Sequence, residues 1–304
     1  MAVQPDRWYR WLLERRDAGT ERQRTVTLDH LAEIRDRVLL AAEPLEGATL
    51  IDVGTGDALI GLGALDRVGP DGLVIFSDIS KALLEQCEHA VKSRGALDRA
   101  QFATANAQDL VEIPDSSADI VTTRSVLICV ADKAKAFAAL YRVLRPGGRL
   151  SLFEPINQLM FPEPIDRFWG YEIRSVIDLA ARVKATFAAL EDSAFHAAMM
   201  DFDDRDLSRF AEKAGFERVH VECHIDIEPG APMRSVSLDA LLDSSPNPNA
   251  PTVREAIIAA LSGSEQQKFL AELERAFAEN KPVRRMAVAY LAARKSLFAP
   301  LADR

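Results

Sequence analysis

Apolar positions along this chain change period several times. Leu28, Leu31, Ile34, Val38 and Leu39 recur at helical spacing, as do Trp8, Trp11, Leu12 and Arg15 before them. The chain up to about Ala42 therefore reads as helical, with Asp29 as a candidate cap. At Thr49 the pattern changes. TLIDVG (49–54) is a short unbroken apolar run, the form a strand takes when both its faces are buried. ALIGLGALDRVG follows as a helix, LVIFSDIS as a second strand ending near Asp78, and SKALLEQCEHAVKSRG as a helix closed by Gly95. AQFATANAQDL supplies a third strand and its loop, and ADIVTTRSVL a fourth strand. DKAKAFAALYRVLRPGG reads as a helix stopped by Pro146-Gly147-Gly148, and RLSLFEP as a fifth strand. Strands and helices alternating at this spacing build an open parallel sheet with helices on both faces.

After Pro155 the rhythm loosens. Residues 156–203 read as a largely helical, aromatic-rich insertion. DRDLSRFAEKAGFERVHVECHIDI restores the helix–strand alternation, with Gly215 as the helix stop. Residues 229–282 are a second excursion with a turn at SSPNPNAP, and VRRMAVAYLAARK is a last strand. The chain divides on this reading into a helical lid (1–44), a core (45–155), a helical substrate cap (156–203), core again (204–228), a second insertion (229–282), and a last strand with its tail (283–304).

Composition narrows the function classes. The 304 residues carry a formal net charge of −9, which gives no global attraction to nucleic acid. Cys87, Cys129 and Cys223 are scattered, with neither disulfide nor metal spacing, so a reducing cytoplasm is expected and no metal. No signal peptide and no membrane span is expected, since apolar runs of about 20 residues are absent.

The chemistry concentrates after the first strand, in Asp52-Val53-Gly54-Thr55-Gly56-Asp57-Ala58. Glycines there let a ligand approach the backbone. In open α/β sheets the ligand sits beyond the carboxyl ends of the strands, and an acid closing the second strand, here Asp78, accepts hydrogen bonds from ribose hydroxyls. A nicotinamide dinucleotide fits poorly. The third glycine of that fingerprint falls at Leu59, and Asp52 would repel a pyrophosphate. The Gly-Lys-Ser/Thr of a P-loop is also missing. S-adenosylmethionine meets the conditions: it carries a ribose and a cationic amino-acid end, and no phosphate.

IDVGTGDALIG, SDIS, ANAQDL, DIVTTRSVLICVAD and LYRVLRPGGRLSLFEP resemble the successive motifs of class I S-adenosylmethionine-dependent methyltransferases of the small-molecule type. The resemblance runs from about Leu45 to Pro155, and AGFERVHVE and RRMAVAYLA are similar to that fold's later strands. It implies an α/β, Rossmann-like doubly wound sheet, mostly parallel with an antiparallel last strand, plus helical cap insertions. It also implies roles. Asp52, Gly54 and Gly56 would line the methionine end, Asp52 acting through the ammonium, directly or by way of water. Asp78 would take the ribose hydroxyls, with Ile79 against the adenine and Asn106 and Ala107 at the adenine edge. Arg124 and Ser125 would lie beside the sulfonium. Two positions depart from the pattern: Asn106 stands where many relatives carry an acid, and Ala58 where glycine is common. Arg124 has a structural alternative, an ion pair with Asp132 or Glu154.

Methyl transfer from a sulfonium is an in-line displacement governed by positioning, and it needs a base only if the acceptor sheds a proton. Candidate catalytic residues are His196, Glu172 and Tyr171, with His196 preferred; Glu154, His220 and His224 are further candidates. Each has the plainer alternative of a packed or solvated side chain. The N-terminal RWYRWLLERR reads as a lid over the cofactor, against a helix that merely buries its tryptophans. The expected partner is a small-molecule acceptor, methylated on O, N or C, with no nucleic acid and no membrane; a homodimer is compatible. DIVTTRS lacks the Asn/Asp-Pro-Pro-aromatic motif of base-amine methyltransferases, which makes nucleic acid the weaker alternative. A protein that uses bound S-adenosylmethionine without methylating is the other, because cofactor motifs report binding only.

Overall fold

A computed structural model describes residues 4–18, 20–230, 237–279 and 281–297. A short helix α1 (Arg7–Arg10) continues through a π-helical turn (Trp11–Arg15) toward the long helix α2 (Glu21–Ala41). The alternating region follows as β1 (Thr49–Val53), α3 (Leu59–Leu65), β2 (Leu73–Asp78), α4 (Lys81–Ser93), β3 (Ala100–Thr104), β4 (Ala118–Arg124), α5 (Lys133–Val143) and β5 (Leu144–Pro155). Next come a small hairpin, β6 (Arg167–Phe168) and β7 (Tyr171–Glu172), and the helices α6 (Ile177–Leu190) and α7 (Ser193–Met200). Helix α8 (Asp204–Ala214) and strand β8 (Phe216–Pro229) return to the sheet. Helices α9 (Leu238–Asp243), α10 (Val253–Ala260) and α11 (Gly263–Glu279) leave it again, before β9 (Val283–Lys295).

The seven-stranded sheet has the order β3-β2-β1-β4-β5-β9-β8. Strands β1 to β5 pair in parallel, and β9 is antiparallel to both β5 and β8, as expected for the last strand. Strand order reverses between β1 and β4, which opens a crevice above their carboxyl ends. Successive residues of β1 face opposite sides. Leu50 belongs to one apolar cluster with Val38 and Leu39 of α2, Leu65 of α3 and Leu84 of α4; Ile51 belongs to another with Phe137 and Leu140 of α5 and Leu207 of α8. Burying both faces is why β1, β2 and β4 read as near-continuous apolar runs. A third apolar cluster lies outside these two layers. It joins Phe168, Ile173 and Val183 of the first insertion to Leu241, Val253 and Phe269 of the second.

Several local expectations are corrected. Helix α2 begins at Glu21, so Asp29 lies in its interior and does not cap it. Helix α5 ends at Val143, and Pro146-Gly147-Gly148 lies inside β5. Leu144 pairs with Ala118 and Arg149 with Ile120, so the extra residues form a bulge, and Gly147 supplies a φ of +78°. In the first insertion, FWGYE is a hairpin and not a helix. Trp169 and Gly170 both take positive φ, +52° and +84°, the geometry of a two-residue type I′ turn. The stop at Gly215 holds, with φ +95°, and a capping box of Asp203 and Asp206 starts α8. The expected tail beyond Leu297, residues 1–3 of the lid and residues 231–236 of the second insertion lie outside the described residues.

Gly61 of α3 faces β2 so closely that an added Cβ would lie 2.7 Å from Phe76 Cδ1, whereas Gly263 at the start of α11 has nothing within 4 Å. Gly61→Ala is therefore expected to cost about 1–3 kcal/mol through overpacking, and Gly263→Ala to stay within about 0.5 kcal/mol of the parent. Urea unfolding of the two variants checks this; equal midpoints would show that the Phe76 ring moves aside freely.

Candidate functional site

The loop after β1 bends through three positive-φ residues, Gly54 (+66°), Gly56 (+53°) and Ala58 (+63°). Its shape is held from below. The Asp52 carboxylate, 1% exposed, accepts from Thr55 Oγ1 (2.7 Å) and the Gly61 N–H (3.0 Å) on one oxygen, and from Thr122 Oγ1 (3.1 Å) on the other. Burial pushes this carboxyl up to about 6, against the pull of those donors. Asp52 thus organises the loop from beneath it. Two of its three donors share Oδ2, and Oδ1 accepts one.

Asp78 ends β2 beside the loop. One carboxylate oxygen accepts the Gly56 N–H at 2.9 Å and the other the Ser80 N–H at 2.8 Å. Burial raises its pKa above the ordinary range, the N–H donors of Ser80 and Gly56 oppose this, and nearby Asp6 adds to the rise. Ile79 next to it is exposed. Beyond β3, Asn106 turns its Oδ1 onto the Gln108 N–H at 2.9 Å, and Ala107 packs against the core. Gly54, Gly56, Asp78, Ile79, Asn106 and Ala107 therefore gather along the carboxyl ends of three adjacent strands, β1, β2 and β3.

Arg124 closes β4. Its guanidinium lies 3.3 Å from Asp57 Oδ1, and Arg16 approaches Asp57 Oδ2 at 3.2 Å. Burial of Asp57 favours its neutral form, but Arg124 and Arg16 outweigh that and lower its pKa. Arg124 thus pairs with neither Asp132 nor Glu154. Asp132 caps α5 through the Lys135 N–H (2.9 Å). Glu154 is fully buried and accepts the N–H groups of Val126 (2.9 Å), Leu127 (2.9 Å) and Ile128 (3.0 Å). It is an anchor for the loop after β4, and not a base facing the crevice. Ser125, at φ +56°, donates its N–H to Phe153 O at 2.9 Å.

The N-terminal segment lies over the glycine loop. Leu12 Cδ2 is 3.3 Å from where a Cβ on Gly56 would stand. The same segment reaches both insertions. The Trp8 ring meets Phe195 edge-on at 6.1 Å, Trp11 Nε1 donates to Ser245 O at 3.0 Å, and the Ser245 N–H donates to Arg15 O at 3.1 Å.

Of the three catalytic candidates, only His196 comes to this junction. It lies on α7 next to Phe195, and its Nδ1 is 2.7 Å from Glu191 Oε2. Tyr171 is buried with its ring stacked on Phe277 at 4.1 Å, and Glu172 pairs with Arg174 at 3.0 Å. Both belong to the hairpin packed on α11, and neither has a described hydrogen bond, ion pair or ring contact with the glycine loop. His220 and His224 flank Glu222 on the edge strand β8, at 3.4 and 3.5 Å. Sequence reasoning missed Asp57, Thr122 and Glu191. The signals were slight: an acid inside the loop, and a threonine in an apolar strand.

The Asp78 carboxylate accepts one N–H on each oxygen and keeps a lone pair on both beside the loop, which disfavours phosphate and favours a ligand offering hydroxyls. Buried Arg16 Nε has no hydrogen-bond partner among the described residues, so one anionic group can also be accommodated. S-adenosylmethionine, with ribose hydroxyls, a cationic sulfonium and ammonium, and a single carboxylate, fits this donor set. A doubly wound sheet with such a loop at its switch point, and a buried acid ending the next strand, defines an S-adenosylmethionine-dependent methyltransferase of class I.

The comparisons with known proteins agree. The model of the ubiE/COQ5 methyltransferase family matches residues 26–226, and the chain belongs to that family. The ubiquinone/menaquinone biosynthesis C-methyltransferase UbiE of Marinomonas sp. (strain MWYL1) is 32% identical over 177 residues, 57% of this chain and 67% of that protein. The protein of the same name from Escherichia coli O1:K1 / APEC is 30% identical over 177 residues, 57% of this chain and 68% of that one. Among solved structures, the YcgJ protein from Bacillus subtilis superposes with a TM-score of 0.52 at 16% identity, covering 88% of this chain and 99% of that one. The Haemonchus contortus phosphoethanolamine N-methyltransferase 2 in complex with phosphomonomethylethanolamine and S-adenosylhomocysteine has a TM-score of 0.51 at 17% identity, covering 94% and 59%. The two structural likenesses show the shared fold. The protein is an S-adenosylmethionine-dependent methyltransferase acting on a small molecule. Among the described residues no helix is long and apolar enough to cross a membrane.

Glu154 yields a pH prediction. Burial, opposed by the N–H groups of Leu127, Ile128 and Val126, raises its pKa from 4.5 to about 7. A raised folded-state pKa contributes stability fully present below the unfolded value and lost as pH rises through the folded one. The parent is therefore expected to lose thermal stability between pH 5 and pH 8, with Glu154 accounting for on the order of 3 kcal/mol at about 1.36 kcal/mol per pKa unit. Glu154→Gln should show a shallower fall in Tm across that window, whatever its absolute Tm. Parallel slopes for parent and variant would mean that Glu154 does not titrate there.

Proposed function

We propose that residues at the carboxyl ends of β1, β2, β3 and β4 bind S-adenosylmethionine, and that the N-terminal segment closes over it as a lid. The observation that carries this reading is the buried Asp78 carboxylate, set beside the glycine loop by the N–H groups of Gly56 and Ser80. When bound, S-adenosylmethionine supplies an electrophilic methyl group on a sulfonium. Asp78 accepts hydrogen bonds from the ribose hydroxyls. Ile79 and Ala107 flank the adenine, and Asn106 lies at its edge. Gly54 and Gly56 leave the backbone open to the methionine end, and Arg16 Nε takes its carboxylate. Arg124 and Ser125 border the reacting end, with Asp57 holding Arg124 and Arg16 in place. Leu12 and Trp11, fastened to the second insertion through Ser245, exclude water once the segment is down.

The acceptor is a planar aromatic small molecule held between the lid and the two insertions, where Trp8, Trp11 and Phe195 offer ring faces and edges. The relatives' names point to C-methylation of a quinone-type ring, which is methylated in its electron-rich reduced form. The second insertion lies beyond residue 226, where the family match stops, and with the lid and the first insertion it reads the ring's substituents. The net charge of −9 argues against a nucleic-acid acceptor, and the three free cysteines accord with work in the cytoplasm, as a monomer or a homodimer.

Calorimetric titration with S-adenosylmethionine, S-adenosylhomocysteine and NAD in parallel tests the site. The first two are expected to bind and NAD not to. Asp78→Ala removes the acceptor of two ribose hydroxyls, a loss of about 1.5–3 kcal/mol, or roughly tenfold to 150-fold weaker binding. Unchanged affinity in Asp78→Ala, or equal binding of NAD, would refute the assignment. Transfer of labelled methyl to reduced 1,4-naphthoquinone tests the acceptor class.

A further inference from the structure

The methyl-transfer reading leaves one cluster unexplained, at the corner between α6 and α7. Glu191, the residue just after α6, has a side chain only 7% exposed. One of its oxygens accepts from Asn247 Nδ2 at 2.6 Å, and the other lies 2.7 Å from His196 Nδ1. Asn247, itself buried, cannot turn its amide, because its Oδ1 accepts the Asn249 N–H at 2.9 Å. Asn249 Oδ1 in turn accepts from Arg7 of the lid at 3.1 Å. A chain of hydrogen bonds thus runs from the lid through the second insertion to a histidine on the first. Among the described residues His196 Nε2 has no hydrogen-bond partner, and the side chain is 47% exposed. His196 follows Phe195, which meets the Trp8 ring, on a helix that packs on the loop after β4.

We propose that Glu191 and Asn247 are positioning residues that hold His196 with its proton on Nδ1, so that Nε2 serves as the proton acceptor for the methyl acceptor. The inference rests on the methyl-transfer reading above. A neutral imidazole carries one proton, and the nitrogen facing a carboxylate keeps it, which leaves the lone pair on the other nitrogen. A base fixed by a third group is the arrangement that catalytic histidines share. As the acceptor, through a ring carbon or a heteroatom, forms its bond to the methyl carbon, His196 Nε2 takes the proton shed by the acceptor's hydroxyl or amine; where a ring carbon is methylated, its own hydrogen is then lost to solvent as the oxygen is reprotonated and the ring regains aromaticity. The carbon–sulfur bonding pair stays on sulfur. The imidazolium is balanced by Glu191, and the proton then leaves to solvent through the exposed edge of the ring.

Glu191→Gln gives a sharp test because it keeps shape and changes only the donor pattern. Asn247 must present its NH2 group, so the amide introduced in Glu191→Gln turns its single oxygen to Asn247 and its own NH2 toward His196. Nδ1 then has to accept, and the proton moves to Nε2. The ring tautomer is read by nitrogen-15 NMR of the full-length protein at pH 8.5, with the His196 signals identified by their loss in His196→Gln. The parent is expected to show Nδ1–H and Glu191→Gln to show Nε2–H. With reduced 1,4-naphthoquinone as acceptor, kcat of Glu191→Gln should fall by about 10²–10⁴-fold, while KM and S-adenosylmethionine affinity stay within about twofold of the parent. A parent in the Nε2–H form, an unchanged tautomer in Glu191→Gln, or a variant with full kcat would overturn the proposal. Failure to bind S-adenosylmethionine at all would instead overturn the reading of the site. Cofactor binding without transfer to the quinol would remove only that acceptor class, and the pair of tautomers would still decide the role of Glu191.

Discussion

Beneath the glycine loop, the Asp52 carboxylate joins three elements through hydrogen bonds alone. Thr55 belongs to the loop, Gly61 to α3 and Thr122 to β4. A carboxylate sealed from water is tolerated only when its lone pairs are used, and removing one donor strands it at a cost of a few kcal/mol. The loop therefore has one low-energy path. On that path the Gly56 N–H points at Asp78, and the Asp57 side chain swings across to the end of β4. The lid depends on the same path, because Arg16 docks on Asp57 and Leu12 on Gly56.

Three acids within a few residues of the crevice are thus kept by three different means. Asp52 is met by neutral donors, and Asp57 by two guanidiniums. Asp78 is met by backbone N–H groups, which hold its two oxygens in place while leaving lone pairs for a ligand. The first spends three hydrogen bonds inside the fold, and the second is paired with full charges. Glu154 repeats the first solution on the neighbouring strand, so both loops that border the crevice are shaped by a buried acid below them.

The sheet was largely legible in the sequence, because strands buried on both faces leave unbroken apolar runs and helices leave a 3.6-residue period. So was the set Gly54, Gly56, Asp78, since strand, turn and strand-end acid are local features. Hydrogen-bond partners were not legible. An acid at position 52 announces charge but not the donors it meets inside the fold, and Thr122 and Gly61 lie 70 and 9 residues away. The hairpin at 167–172 escaped because two-residue strands are too short to show a period. Tyr171 and Glu172 looked attractive as an aromatic beside a carboxylate, yet Phe277 and Arg174 claim them. The fixing of His196 by Glu191, and of Glu191 by Asn247 from 56 residues further on, lies beyond any local pattern.

The shared apolar cluster of the two insertions bears on how the molecule is made. As the chain emerges from the ribosome, Phe168, Ile173 and Val183 appear well before Leu241, Val253 and Phe269, with α8 and β8 in between. Until α10 and α11 follow, the early half of the cap has no partner for its greasy side. The sheet waits as well, for β9 arrives later still and must wedge between β5 and β8, which cannot pair without it. The cap is thus left incomplete until α11 is translated, and the sheet until β9 is. That ordering makes a truncated or stalled product a sticky one, with an open sheet edge and a bare apolar face exposed together.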